Sequence, residues 1–165
     1  MGSVKLSIAK ENIKFSAAHF LIFNAHEAER LHGHNYQVSA EIEFFQDSPR
    51  GQYKIDFSVV KSILKSLVSR WDEYVLFPEL NSEMKYSKDA ESLFVKFRNR
   101  SYQFPIDEVI LLTLENTSVE GFSYLLANDL KKEMINQNLM KDVLSLAVTV
   151  EESPGQAATT ILKLP

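Results

Sequence analysis

Apolar and polar residues alternate along much of this chain in ways that define its elements. From Val4 to His19 the residues read as extended chain, with Ile13, Phe15, Ala17 and His19 on one face of a period-two pattern. After His34 the alternation is cleaner. Tyr36, Val38, Ala40, Ile42 and Phe44 interleave with Gln37, Ser39, Glu41 and Glu43, which predicts an antiparallel strand with one buried face. Asp47-Ser48-Pro49-Arg50-Gly51 predicts a turn. Asp56 is placed as the N-cap of a helix ending near Arg70, on which Val60, Ile63, Leu64, Leu67 and Val68 recur at helical spacing. Trp71 to Asp89 has no clear period and reads as loops, the kind of segment that carries binding and catalysis on a rigid scaffold.

Leu93–Phe97 and Val109–Thr113 read as short strands. Thr117-Ser118-Val119-Glu120 has the form of a capping box and opens a second helix, with Val119, Phe122, Leu126, Leu130 and Met134 on its apolar face and Asn136 to Asn138 as its stop. A hairpin closes the chain: Leu144, Leu146, Val148 and Val150 alternate up to Glu152, Ser153-Pro154-Gly155 turns, and Ala157 to Leu164 returns. Strands and helices are segregated, so the pattern predicts an α+β fold, an antiparallel sheet with two helices on one face, in one domain over residues 1–165.

Composition narrows the chemistry. The absence of cysteine excludes disulfides, a thiolate zinc site and a thiol nucleophile, leaving His, Asp and Glu for metal binding and proton transfer. A formal charge of −4 supplies no broad basic field, so neither nucleic acid nor a membrane surface is an expected partner, and a small molecule or a protein is. Met1 to Lys14 carries no apolar leader and no run of about 18 apolar residues occurs, which predicts a cytoplasmic protein.

The densest chemical signal is Glu29-Arg30-Leu31-His32-Gly33-His34-Asn35-Tyr36. Two histidines at i and i+2 on a strand face the same way, and His19 in a neighbouring strand about 5 Å off can join them. Three His ligands with an open fourth position are the pattern of a catalytic zinc; the alternative is that these are unconnected surface or core histidines. His26 reads as a loop residue. Glu29 falls at the rim of the site, where a carboxylate can act as general base, or is a solvated charge beside Glu27. Glu152 continues an apolar strand face, where a carboxylate needs a partner such as the N–H edge of a heterocycle, unless the strand has already ended.

Phe15-Ser16-Ala17-Ala18-His19, Leu31-His32-Gly33-His34-Asn35-Tyr36, Asp56-Phe57 with Lys61, Thr117-Ser118-Val119-Glu120 and Val150-Glu151-Glu152-Ser153 occur in the order seen in 6-pyruvoyl-tetrahydropterin synthases. The chain resembles that family nearly end to end. The resemblance implies the tunnelling fold, in which the four-stranded antiparallel sheets of several subunits join into a barrel. It also implies a homo-oligomer, taken as a trimer-based hexamer, with active sites between subunits. Zinc is the implied cofactor, held by His19, His32 and His34. A pterin triphosphate is the implied substrate, anchored by Glu152, with Thr117 and Ser118 helping to hold the ring.

Two departures set the subtype. Where the synthases and the 6-carboxytetrahydropterin synthases of queuosine biosynthesis have a cysteine, this chain has Ala28. Its Glu29-x-x-His32 resembles instead a variant subfamily that cleaves 7,8-dihydroneopterin triphosphate to 6-hydroxymethyl-7,8-dihydropterin. Where family members usually have Asp-His, this chain has Asp72-Glu73, so Asp72 carries over as a catalytic candidate and Glu73 does not stand for the histidine. The implied function is a zinc-dependent lyase of a folate-type pathway with Glu29 as general base. The alternatives are a divergent 6-pyruvoyl- or 6-carboxy-tetrahydropterin synthase and a non-catalytic pterin- or purine-binding paralogue.

Overall fold

The computed structural model describes residues 2–47 and 53–164, so the turn expected at Asp47–Gly51 falls, from Ser48 on, outside the described residues. Strands β1 (Ser3–Ile8), β2 (Lys14–His19), β3 (Ile22–Asn24), β4 (Glu27–Ala28) and β5 (His32–Phe45) precede helix α1 (Phe57–Ser69). Strands β6 (Tyr74–Pro78), β7 (Met84–Lys88), β8 (Ser92–Phe97), β9 (Arg100–Pro105) and β10 (Val109–Leu112) lead to helix α2 (Val119–Asn136), and β11 (Val143–Ser153) and β12 (Gln156–Lys163) close the chain.

Strand β5 is the spine. One edge pairs with β2 along its first half and with β1 along its second, while the other edge pairs with β11, which pairs in turn with β12, all antiparallel. The four antiparallel strands β2-β5-β11-β12 are the sheet the alternation predicts. It is longer than predicted on one side, where β6 joins β2 and β10 joins β6, both in parallel. The face carrying Phe15, Tyr36, Val38, Ile42, Leu146 and Val148 shares one core with Leu64 and Leu67 of α1 and Phe122, Leu126 and Leu130 of α2. Both helices therefore cover the same face.

Asp56 caps α1, its Oδ1 accepting from Ser58 N at 2.7 Å. The N-cap of α2 is Ser118, one residue later than the capping box predicts, and Glu120 is its second helical residue. The Ser118 hydroxyl and the backbone N–H of Glu120 hold that carboxyl below its ordinary range. The segment read as loops contains two strands. Tyr74-Val75-Leu76-Phe77 is an unbroken apolar run because β6 is covered on both sides, Leu76 facing the main core and Phe77 a second one. That second core packs Phe20 and Ile22 against Met84, Leu93, Val95 and Phe97, so the antiparallel sheet β7-β8-β9 lies over the segment after His19. Among the described residues no helix is long and apolar enough to cross a membrane.

Candidate active site

Three imidazoles converge at the end of β2 and the start of β5. His19 is directly opposite His32, and His34 is opposite Ala17, so the period of two puts all three on the helix-covered face. Ring centroids are 4.9 Å (His19–His32), 5.5 Å (His19–His34) and 4.7 Å (His32–His34) apart. One ring nitrogen of each lies within 4.8 Å of the others, an arrangement that could hold a metal ion. Gly33 keeps the two strands close: a Cβ there would come within 3.2 Å of the Ala17 carbonyl oxygen.

The protonation pattern suits a metal. His19 Nδ1 is 2.8 Å from the Thr117 carbonyl oxygen and His32 Nδ1 is 2.7 Å from that of Arg30. A carbonyl only accepts, so Nδ1 carries the proton in both rings and Nε2 presents its lone pair. His34 Nε2 is buried and makes no hydrogen bond among the described residues, with a Glu152 oxygen 3.3 Å away, and is a donor-set atom that a metal would satisfy. Burial pushes the His19 pKa down to about 4, and its neighbours His32 and His34 lower it further against the raising effect of the Thr117 carbonyl, so the ring is neutral near pH 7. The Tyr36 hydroxyl donates to His19 Nε2 at 2.7 Å, and burial, then Glu152 and Glu29, raise its pKa far above the ordinary range.

Two carboxylates flank the imidazoles. Glu29 Oε2 accepts from Leu21 N at 3.0 Å and stands 3.9 Å from His32 Nε2. Glu152 Oε1 stands 3.3 Å from His34 Nε2. Pairing of Glu151 with Ala157 and of Ser153 with Gln156 leaves Glu152 as the extra residue of a β-bulge, a device that re-aims a side chain. Both are partly open to solvent, at 32% and 25% side-chain exposure.

The other sequence candidates are distributed differently. Thr117 is fully buried, its carbonyl on His19 and its hydroxyl donating to Phe20 O at 3.2 Å. Ser118 Oγ accepts from Gly121 N at the mouth of α2. Asp72 is not brought to the histidines within the protomer; its Oδ1 accepts from Ser16 N at 2.8 Å. Glu73 lines a concavity with Ser16, Ala18, Gly33 and Asn35, residues of the opposite sheet face. His26 lies in the exposed turn between β3 and β4, away from the cluster.

Sequence reasoning missed Asn116. Its side-chain amide accepts from Ile22 N at 3.1 Å and donates to Ile22 O at 2.9 Å, imitating a strand partner and, with Thr117, bracketing residues 19–22. Its place directly before Thr117 and the helix cap was the available signal.

The chain has an α+β fold with a three-histidine cluster at one end of its sheet, flanked by two carboxylates, a donor set that could hold a metal ion. The chain belongs to the 6-pyruvoyl tetrahydropterin synthase family, whose model matches residues 7–161. It is 25% identical over 146 residues, 88% of each chain, to a putative 6-carboxy-5,6,7,8-tetrahydropterin synthase of Methanocaldococcus jannaschii. Among solved structures it is similar to 6-pyruvoyltetrahydropterin synthase of Plasmodium vivax, with 26% identity, TM-score 0.91 and 99% and 100% of the two chains covered. The matched structure is a variant with a catalytic glutamate replaced by alanine. The Plasmodium falciparum 6-pyruvoyl tetrahydropterin synthase gives 27% identity and TM-score 0.90 over 98% and 99% of the two chains.

Proposed function

We propose that this protein is a zinc-dependent lyase that cleaves the side chain of 7,8-dihydroneopterin triphosphate to give 6-hydroxymethyl-7,8-dihydropterin. The observation that carries the reading is the Glu29 carboxylate, tethered to Leu21 N–H and 3.9 Å from His32 Nε2, in a chain without a cysteine to act as thiolate base. The catalytic glutamate of the P. vivax relative supports the same assignment.

His19, His32 and His34 would hold the ion through their Nε2 atoms, and zinc bound there supplies a Lewis acid that lowers the pKa of the substrate's vicinal hydroxyls. Glu29 takes the proton from the hydroxyl on the second side-chain carbon. As that oxygen becomes a carbonyl, the bond between the first and second side-chain carbons breaks and its electron pair passes into the pterin ring. Protonation of the first carbon completes the hydroxymethyl product, and the other fragment leaves as a two-carbon aldehyde bearing the triphosphate.

Glu152, aimed by its bulge, accepts the N–H edge of the ring in a bidentate manner and Ser118 helps to hold the ring, while Thr117 acts through His19. Asp72, whose carboxylate takes the Ser16 N–H and is outside the three-histidine group, is read as serving a site across a subunit boundary in an oligomer, a trimer-based hexamer with interfacial sites. A second reading, a 6-carboxy-tetrahydropterin synthase, is favoured by the name of the M. jannaschii relative and opposed by the missing thiol.

Mass analysis of the product from metal-loaded protein and dihydroneopterin triphosphate separates the two. A 6-hydroxymethyl product lost in Glu29→Ala, with zinc content and pterin affinity retained, supports the first; a 6-carboxy or 6-pyruvoyl product overturns it. Glu152→Ala should do the reverse, weakening ring affinity about ten-fold or more because each charge-assisted hydrogen bond contributes about 1.5–3 kcal/mol.

A further inference from the structure

Glu29 lies in a weakly held segment. Strand β4 has two residues and pairs only with β3, a ribbon outside the main sheet, and residues 29–31 intervene before β5 restores regular pairing at His32. A ribbon this short does not hold itself in water. The segment is instead gripped from the β8–β9 hairpin. Arg100 donates through Nη1 to the Glu29 carbonyl oxygen and through Nη2, at 3.2 Å, to that of Ala28. Arg98, in the turn of the same hairpin with φ 55°, donates through Nη1 to the His26 carbonyl oxygen at 2.6 Å.

We infer that Arg100 is the positioning residue for the Glu29 carboxylate, resting on the reading of Glu29 as the base, with Arg98 bracing the start of the same loop. A planar guanidinium on two successive carbonyls sets the plane of the peptide between Ala28 and Glu29, and with it the direction in which the Glu29 side chain leaves the backbone. The amide of Glu29 donates to Leu21 O at 2.9 Å, its Oε2 takes the Leu21 N–H and its carbonyl takes Arg100, so the residue is held at three points. The fork ends on carbonyl oxygens, and among the described residues no ion pair joins Arg100 to the carboxylate. The arginine therefore orients the residue through its backbone and not through its carboxylate. This also assigns a purpose to the β7-β8-β9 sheet, which lies over Phe20 and Ile22 and carries the clamp at the start of β9.

The test compares metal-loaded wild type with Arg100→Lys and Arg100→Gln. Lysine keeps the charge but cannot span both carbonyls. Misplacement of a reacting group by about 1 Å costs on the order of 100-fold, so kcat should fall about 10- to 100-fold in Arg100→Gln and less in Arg100→Lys. KM, pterin affinity, zinc content and the urea midpoint should stay near wild type. Backbone amide exchange over residues 26–30 should accelerate in Arg100→Gln and less in Arg100→Lys. Unchanged exchange in that segment, or a KM rising as much as kcat falls, overturns the clamp. If wild type forms no 6-hydroxymethyl product, the assigned reaction fails, and the exchange experiment still decides whether Arg100 holds the loop.

Discussion

His19 shows how burial prepares a ligand. Its ring is 1% exposed, its Nδ1 proton is committed to the Thr117 carbonyl, and its charged form is disfavoured, so it offers a neutral donor at the pH where a metal must bind. The same shift makes the metal-free protein acid-sensitive. A folded-state pKa of about 4 against 6.5 for the free side chain means that the unfolded chain takes up the proton first as pH falls. The stabilising contribution is complete above pH 6.5 and is lost as pH falls from there towards 4. Carboxylates held below their ordinary range, such as Glu43 and Asp56, add their own loss only below about pH 4.5. Thermal melting of metal-free protein should therefore show Tm falling between pH 6.5 and 4.5, with the slope reduced in His19→Gln; equal slopes would contradict a buried neutral imidazole.

At the scale of elements, the start of α2 is tied to the histidine cluster, and the start of α1 is not. Gly121 sits where a Cβ would come within 2.9 Å of the Asn116 carbonyl oxygen and 3.0 Å of Leu114 Cδ1, so the chain closes tightly around the Asn116-Thr117 bracket. Gly121→Ala gains helix propensity of roughly 1 kcal/mol but meets backbone that cannot yield freely, an overpacking cost of about 1–3 kcal/mol. The net loss should be about 1 kcal/mol, with weaker metal binding because Thr117 and His19 move together. Asp56→Ala removes a cap worth about 1 kcal/mol and should leave metal affinity alone. Urea unfolding and metal titration of both variants check the contrast, which fails if metal affinity changes equally. The helices and their apolar stripes were legible in the sequence because 3.6-residue periodicity and caps are local properties. Strand β6 was not, since its two covered faces abolish the alternation that a half-buried strand displays.

At the scale of the whole molecule, the sheet leaves edges open among the described residues: the eight-residue β12, with Ile161 62% exposed, the parallel β10, and β1, which pairs with β5 alone. Unpaired edges are templates for pairing, and the expected outcome is association through them into a closed assembly. Light scattering at micromolar concentration should give a multiple of the 18.9 kDa chain mass; a monomer would contradict the interfacial role proposed for Asp72. The sequence by itself determined that His32 and His34 share a face, because parity along one strand is decided by the pleat; that His19 joins them was decided by the pairing of β2 with β5. It also determined that Asp56 starts a helix, whereas the aim of Glu152 was decided by the bulge. Only the tertiary structure decided which groups orient those side chains. Thr117 is 98 residues from His19, Asn116 is 94 from Ile22, and Arg100 is 71 from Glu29. A residue's periodicity states which way it points; the partner that satisfies its hydrogen bonds comes from strand order and packing, which no local pattern encodes.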